Sequence, residues 1–129
     1  MNYDNPRLII DRKQNLTELC SNVCQDHDRF RRELIKAQEN DIKMVFLVEH
    51  GKGICRLEDV IWWENPRRWK RVKDDSGKWQ EVETKAMTGD VLYKILKTQE
   101  RKYGCKFLFC EKENTGKEII RILGGELDE

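Results

Sequence analysis

Several things are missing from this 129-residue chain, and each absence removes a class of function. No apolar run approaches the ~18–20 residues that a membrane-crossing helix needs. The N-terminal stretch, with Asn2, Asp4 and Arg7, has no apolar core of the kind a secretion signal carries, so a cytoplasmic protein is expected. Net charge is almost absent: 25 basic and 24 acidic residues leave +1. There is then no overall field to draw in nucleic acid or an anionic membrane, and a phosphate must be met by a local cluster. Five cysteines, at 20, 24, 55, 105 and 110, show no paired C-x-x-C spacing, and neither His27 nor His50 stands at a zinc-ligand interval from them. They read as reduced thiols packed as small hydrophobes. No internal repeat or low-complexity segment is present, and 15.5 kDa is the size of one domain.

What is there alternates strand and helix. Leu8-Ile9-Ile10 is a short buried-strand pattern that ends in Asp11-Arg12-Lys13. Asn15 is a helix N-cap with Glu18 as its capping partner, and Leu16, Leu19, Cys20 and Val23 follow helical spacing. After a break near Gln25-Asp26, a second helix is expected from Asp28 to Asn40. Met44–Val48 is a continuous apolar run, the pattern of a central strand covered on both faces. Residues 51–87 form an irregular insert, in which Val60-Ile61-Trp62-Trp63 suits either a short strand or a helical turn. Asp74-Asp75-Ser76-Gly77 marks a hairpin spanning Trp69 to Val82. A helix from Thr88 or Asp90 to Tyr103, stopped by Gly104, leads to a strand at Lys106–Cys110. A last helix runs from Asn114 or Thr115 to Gly124-Gly125, followed by a frayed acidic tail. The order is α/β, a thin sheet of three parallel or mixed strands with helices packed on it.

The chemistry-bearing residues cluster at the first strand. Residues i and i+2 of a strand share a face, so Asp11 and Lys13 stand side by side while Arg12 points the other way. A carboxylate there can hold a hard divalent cation, and the ammonium can orient a water or neutralise a phosphate. Arg29 and Glu33 lie one turn apart on the second helix, and Glu49 ends the central strand, where open α/β sheets build their sites. In the insert, Arg67, Arg68, Lys70, Arg71 and Lys73 interleave with Trp62, Trp63 and Trp69. Cations for phosphates and indoles for unpaired bases suit nucleic acid; a small aromatic core with solvated cations is the competing reading.

Taken together, Asp11-Arg12-Lys13, Asn15-Leu16-Thr17-Glu18-Leu19, Asp28-Arg29-Phe30-Arg31-Arg32-Glu33-Leu34 and Met44-Val45-Phe46-Leu47-Val48-Glu49 resemble the nuclease domain of the XPF family. These are structure-specific DNA endonucleases of the PD-(D/E)XK superfamily, and the likeness is to the compact phage and bacterial members. It runs from about Pro6 to Leu123. The resemblance implies a truncated restriction-endonuclease-like core and hydrolysis of phosphodiesters in branched or partly single-stranded DNA with Mg²⁺ or Mn²⁺. Asp11 and Lys13 match the acid and lysine of the family's E-R-K signature, with Asp in place of Glu. Arg29 and Glu33 would face the site. Thr17 occupies a position where the family often carries Asp, so Glu18 is the nearest acid, and Asp11, Glu18 and Glu49 form the implied metal set.

One element of the family pattern is missing. Its Gly-Asp pair, which supplies the first metal-binding acid from the preceding strand, has no counterpart before Asp11; Gly89-Asp90 lies far downstream. Three expectations follow: Asp4 stands in; a second copy or a complementing fragment supplies the strand at an open sheet edge; or the chain is an inactive nuclease fold that binds nucleic acid or inhibits a host enzyme.

Overall fold

In the computed structural model, residues 7–51 and 53–124 are described; Asp4, Pro6, Gly125 and the acidic tail fall outside them. Three parallel strands make the main sheet: β1 (Arg7–Lys13), β2 (Ile42–Glu49) and β5 (Lys106–Cys110), in the order β1-β2-β5. All pairings in it are parallel, with Asp11 opposite Phe46 and Phe46 opposite Phe107. The helices are α1 (Leu16–Cys24), α2 (His27–Glu39), α3 (Gly89–Tyr103) and α4 (Thr115–Leu123). The protein is thus mixed α/β, and β2 is the central strand that its unbroken apolar sequence requires: Val45 through Val48 are all buried.

Alternation along β2 divides the core in two. Phe46 and Val48 face a larger cluster with Leu16, Leu19 and Val23 of α1, Phe30 and Leu34 of α2, and Leu92 and Leu96 of α3. Phe46 anchors it, with its ring centroid 5.1 Å from those of both Phe30 and Phe107. Val45 and Leu47 face the opposite way, with Leu8, Ile10 and Leu108, under Ile119 and Ile122 of α4. On β1, Leu8 and Ile10 therefore mark the α4 side, and Ile9, Asp11 and Lys13 emerge on the side of α1 and α2.

Local chemistry sets the element ends. Asn15 Oδ1 accepts the Glu18 N–H at 2.9 Å, capping α1. Gly104, at φ 70°, closes α3 in the left-handed conformation. The segment around Val60 is a 3₁₀ helix, Leu57–Trp62, rather than a strand, and it lies against the start of α3. β3 (Trp69–Lys73) and β4 (Trp79–Glu83) form the separate antiparallel hairpin expected from the Asp-Asp-Ser-Gly turn.

Candidate active-site cleft

Asp11 and Lys13 leave β1 on one face, and α1 and α2 cross above that face. Lys13 Nζ lies 3.3 Å from Asp11 Oδ2. The lysine side chain is only 12% exposed and the aspartate 35%, so the pair is partly shielded from solvent. Behind it, Lys13 Nζ stands 6.0 Å from the centroid of the Phe46 ring, whose face adds a weak attraction for the ammonium. On α2, the one-turn spacing of Arg29 and Glu33 brings them together, Nε to Oε1 at 3.5 Å.

These four residues line one cleft of about 220 Å³, with Phe30 on its wall. Two further polar groups complete it. Asp26, where the sequence shows only a helix break, is the N-cap residue of α2, and its side chain makes no capping bond. Asn22 comes from the last turns of α1, and its Oδ1 is buried without a hydrogen-bond partner. Neither residue carries a periodic or motif signal. Only their place at the α1–α2 junction brings them over Asp11.

The expected metal set does not assemble. Glu49 continues the row of Val45 and Leu47, so it emerges on the α4 face, opposite Asp11. There its Oε1 takes an ion pair from Arg12 at 2.8 Å, and this hydrogen bond holds the Glu49 carboxyl below its ordinary range, with help from Thr115. Glu49 lines a different cavity at the carboxyl ends of β1 and β2, about 660 Å³, with His50, Trp62 and Trp63. Glu18 lies one turn before Asn22 on α1 and is not among the residues lining the cleft.

The cleft still has hard-oxygen chemistry, in the carboxylates of Asp11, Asp26 and Glu33 and the amide of Asn22. Among the described residues no three acids, histidines or cysteines come close enough to cage a metal ion. The carboxylates that do line the cleft are the kind of donor an open Mg²⁺ site uses, which takes one or two of them and otherwise waters and substrate phosphate.

The insert's cations divide in two. Arg67 donates to Ser21 Oγ at 2.8 Å, fastening the insert to α1, and Arg68 pairs with Glu83. Lys70 and Arg71 lie on the exposed β3. Arg71 and Lys73 both lie against the Trp79 ring, 5.2 and 5.1 Å from its centroid. Of the tryptophans, Trp63 is buried in the core, while Trp62, Trp69 and Trp79 are 80%, 50% and 57% exposed. Neither a wholly internal nor a wholly presented aromatic cluster describes them.

No protein-family model matches the chain, and no curated protein or solved structure matches it either.

Proposed function

We propose that the protein is a divalent-metal-dependent DNA endonuclease of the XPF type, with a restriction-endonuclease-like core, acting on branched or partly single-stranded DNA. One observation carries the reading. Asp11, Lys13, Arg29 and Glu33, drawn from two elements that are separate in sequence, line the same cleft. Charge balance supports it. Three carboxylates and two cations line the cleft, so a phosphodiester would enter against a net negative charge unless a divalent cation accompanied it.

Asp11 and Asp26 are the carboxylates that would hold Mg²⁺ or Mn²⁺, with Asn22 beside them. When bound, the ion would supply Lewis-acid polarisation of the phosphodiester. Lys13, kept close by Asp11 and shielded from solvent, positions a water for in-line attack and offsets charge developing on the phosphoryl oxygens. Arg29, freed from Glu33, donates to a non-bridging oxygen and fixes the phosphate. The exposed face of β3 and β4 presents Arg71 and Trp69 to the strand away from the cut.

A cleavage assay on flap, fork and plain duplex DNA with Mg²⁺ or Mn²⁺ tests this. Asp11→Ala should abolish cutting, and Lys13→Ala should slow it by about 10²–10⁴. If the wild-type protein cuts none of these with either metal, the enzymatic reading fails. The second reading is then an inactive nuclease fold that binds nucleic acid, or inhibits a host protein by occupying it. That reading requires DNA binding that survives chelation and Asp11→Ala.

A further inference from the structure

On the other side of α2 from Arg29 and Glu33, a second groove of about 440 Å³ opens between α2 and α3. That volume lies within the ~300–1,000 Å³ typical of small-ligand sites. Its charge is one-sided. Arg31 from α2 and Lys94 and Lys102 from α3 line it, and no carboxylate does. Arg31 has no acidic partner among the described residues. Lys94 lies one turn after Asp90, whose carboxyl accepts the Thr88 hydroxyl at 2.5 Å and also feels the Lys94 charge from outside the groove. Asp28, adjacent in sequence, contacts His27 at 3.3 Å. The floor is apolar, made by Val23, Ile95 and the Tyr103 ring, with Lys102 Nζ 5.5 Å from the ring centroid.

Gln99 adds an independent sign of a ligand. It lines the groove, and its Oε1 is buried with no hydrogen-bond donor. Buried acceptors left unpaired are costly and rare, and a ligand N–H would satisfy this one once the amide turns out into the groove. The three exposed cations ask for a phosphate, the flat apolar floor for an aromatic ring, and Gln99 for a ring that carries an N–H donor.

We propose that this groove binds a nucleoside monophosphate, with phosphate on Arg31 and Lys94, the base against Tyr103 and Ile95, and a base N–H on Gln99. The same chemistry is offered by a free nucleotide and by the phosphorylated end of a nucleic-acid strand. The site is separate from the Asp11 cleft and does not depend on cleavage there.

Calorimetric titration of the full chain tests it, with the four common deoxynucleoside 5′-monophosphates, the matching nucleosides, and oligodeoxynucleotides with and without a 5′-phosphate. At least one nucleotide should bind tenfold or more tightly than its nucleoside. Arg31→Ala and Lys94→Ala should each cost about tenfold, as expected for loss of one charge-assisted contact. Arg31→Lys should keep part of the affinity, and Gln99→Leu should erase discrimination among bases while phosphate-dependent binding persists. Preference for the phosphorylated oligonucleotide over the mononucleotide would support the site and assign it to strand ends; equal affinity would support it as a nucleotide site. Arg31 and Lys94 are exposed and Gln99 is half-buried, and circular dichroism of each variant checks that it folds. No saturable binding of any phosphorylated probe at millimolar concentration would overturn the proposal, as would equal affinity for nucleoside and nucleotide. Binding abolished by Asp11→Ala would also overturn it, by moving the ligand to the cleft.

Discussion

At the scale of single residues, the cleft was half legible. Period-two alternation put Asp11 and Lys13 on one face of β1, and helical spacing put Arg29 beside Glu33; both relations hold within one element and need no tertiary knowledge. Asn22 and Asp26 were not readable, because their approach to Asp11 depends on how α1 and α2 cross the sheet. Glu49 was legible as the end of the central strand but not by face. A strand buried on both faces has no polar side to reveal which way its last residue points. Its pairing with Arg12 has a measurable consequence. Glu49 has a depressed carboxyl pKa in the folded state, so the pair's stabilisation is present above the ordinary glutamate range of ~4.3 and is lost as pH falls through the lower folded value. Arg12→Ala should flatten the acid limb of a stability-versus-pH curve. The effect should shrink in high salt, because the guanidinium is half exposed. Identical acid limbs would remove Glu49 as a contributor.

At the scale of elements, most boundaries followed from caps and turns. Asn15, Gly104 and the Asp74 turn each act through bonds to neighbours a few residues away. Asp74 alone accepts the backbone N–H groups of Ser76 and Lys78, both at 2.9 Å. Residues 60–63 were ambiguous because the 3₁₀ helix at Leu57–Trp62 is started by Asp59, which accepts the Cys55 and Arg56 N–H groups, and is held along its length by packing on α3. That contact leaves no space at Gly89: a β-carbon there would lie 2.4 Å from the Val60 carbonyl oxygen and 2.7 Å from that of Trp63. Although alanine is the better helix former, Gly89→Ala should lower stability by about 1–3 kcal/mol, read as a shifted denaturation midpoint. A neutral or stabilising result would mean that the 3₁₀ segment yields freely. On the hairpin, the internal bonds of Arg67 and Arg68 make Lys70 and Arg71 the better candidates for phosphate contacts. Replacing both with alanine should weaken DNA binding and reduce the slope of log K against log salt by about 2, whereas unchanged slope would take the hairpin out of the interface.

At the scale of the whole molecule, the α/β order followed from strands separated by helices, while the sequence left the sheet parallel or mixed and the structure makes it wholly parallel, as such crossovers allow. Among the described residues both outer strands of the sheet keep one unpaired edge, and β1 exposes Ile9 at 45% beside its own. Such an edge invites a further strand. Sedimentation at micromolar concentration is expected to show a dimer that Ile9→Lys disperses; a monomer unaffected by concentration would argue against a second copy at the β1 edge.

The hairpin has a different thermodynamic status from the rest. Four of five β3 residues and all of β4 are exposed, so the two strands hold each other without a covering layer. An isolated ribbon of this length is marginal in water, and it can open while the three-stranded core stays intact. Its amides should then exchange with solvent through local openings far more frequent than global unfolding. Any partner that grips Trp69 and Trp79 would therefore act first on an order–disorder equilibrium, and its apparent affinity would carry the cost of closing the ribbon.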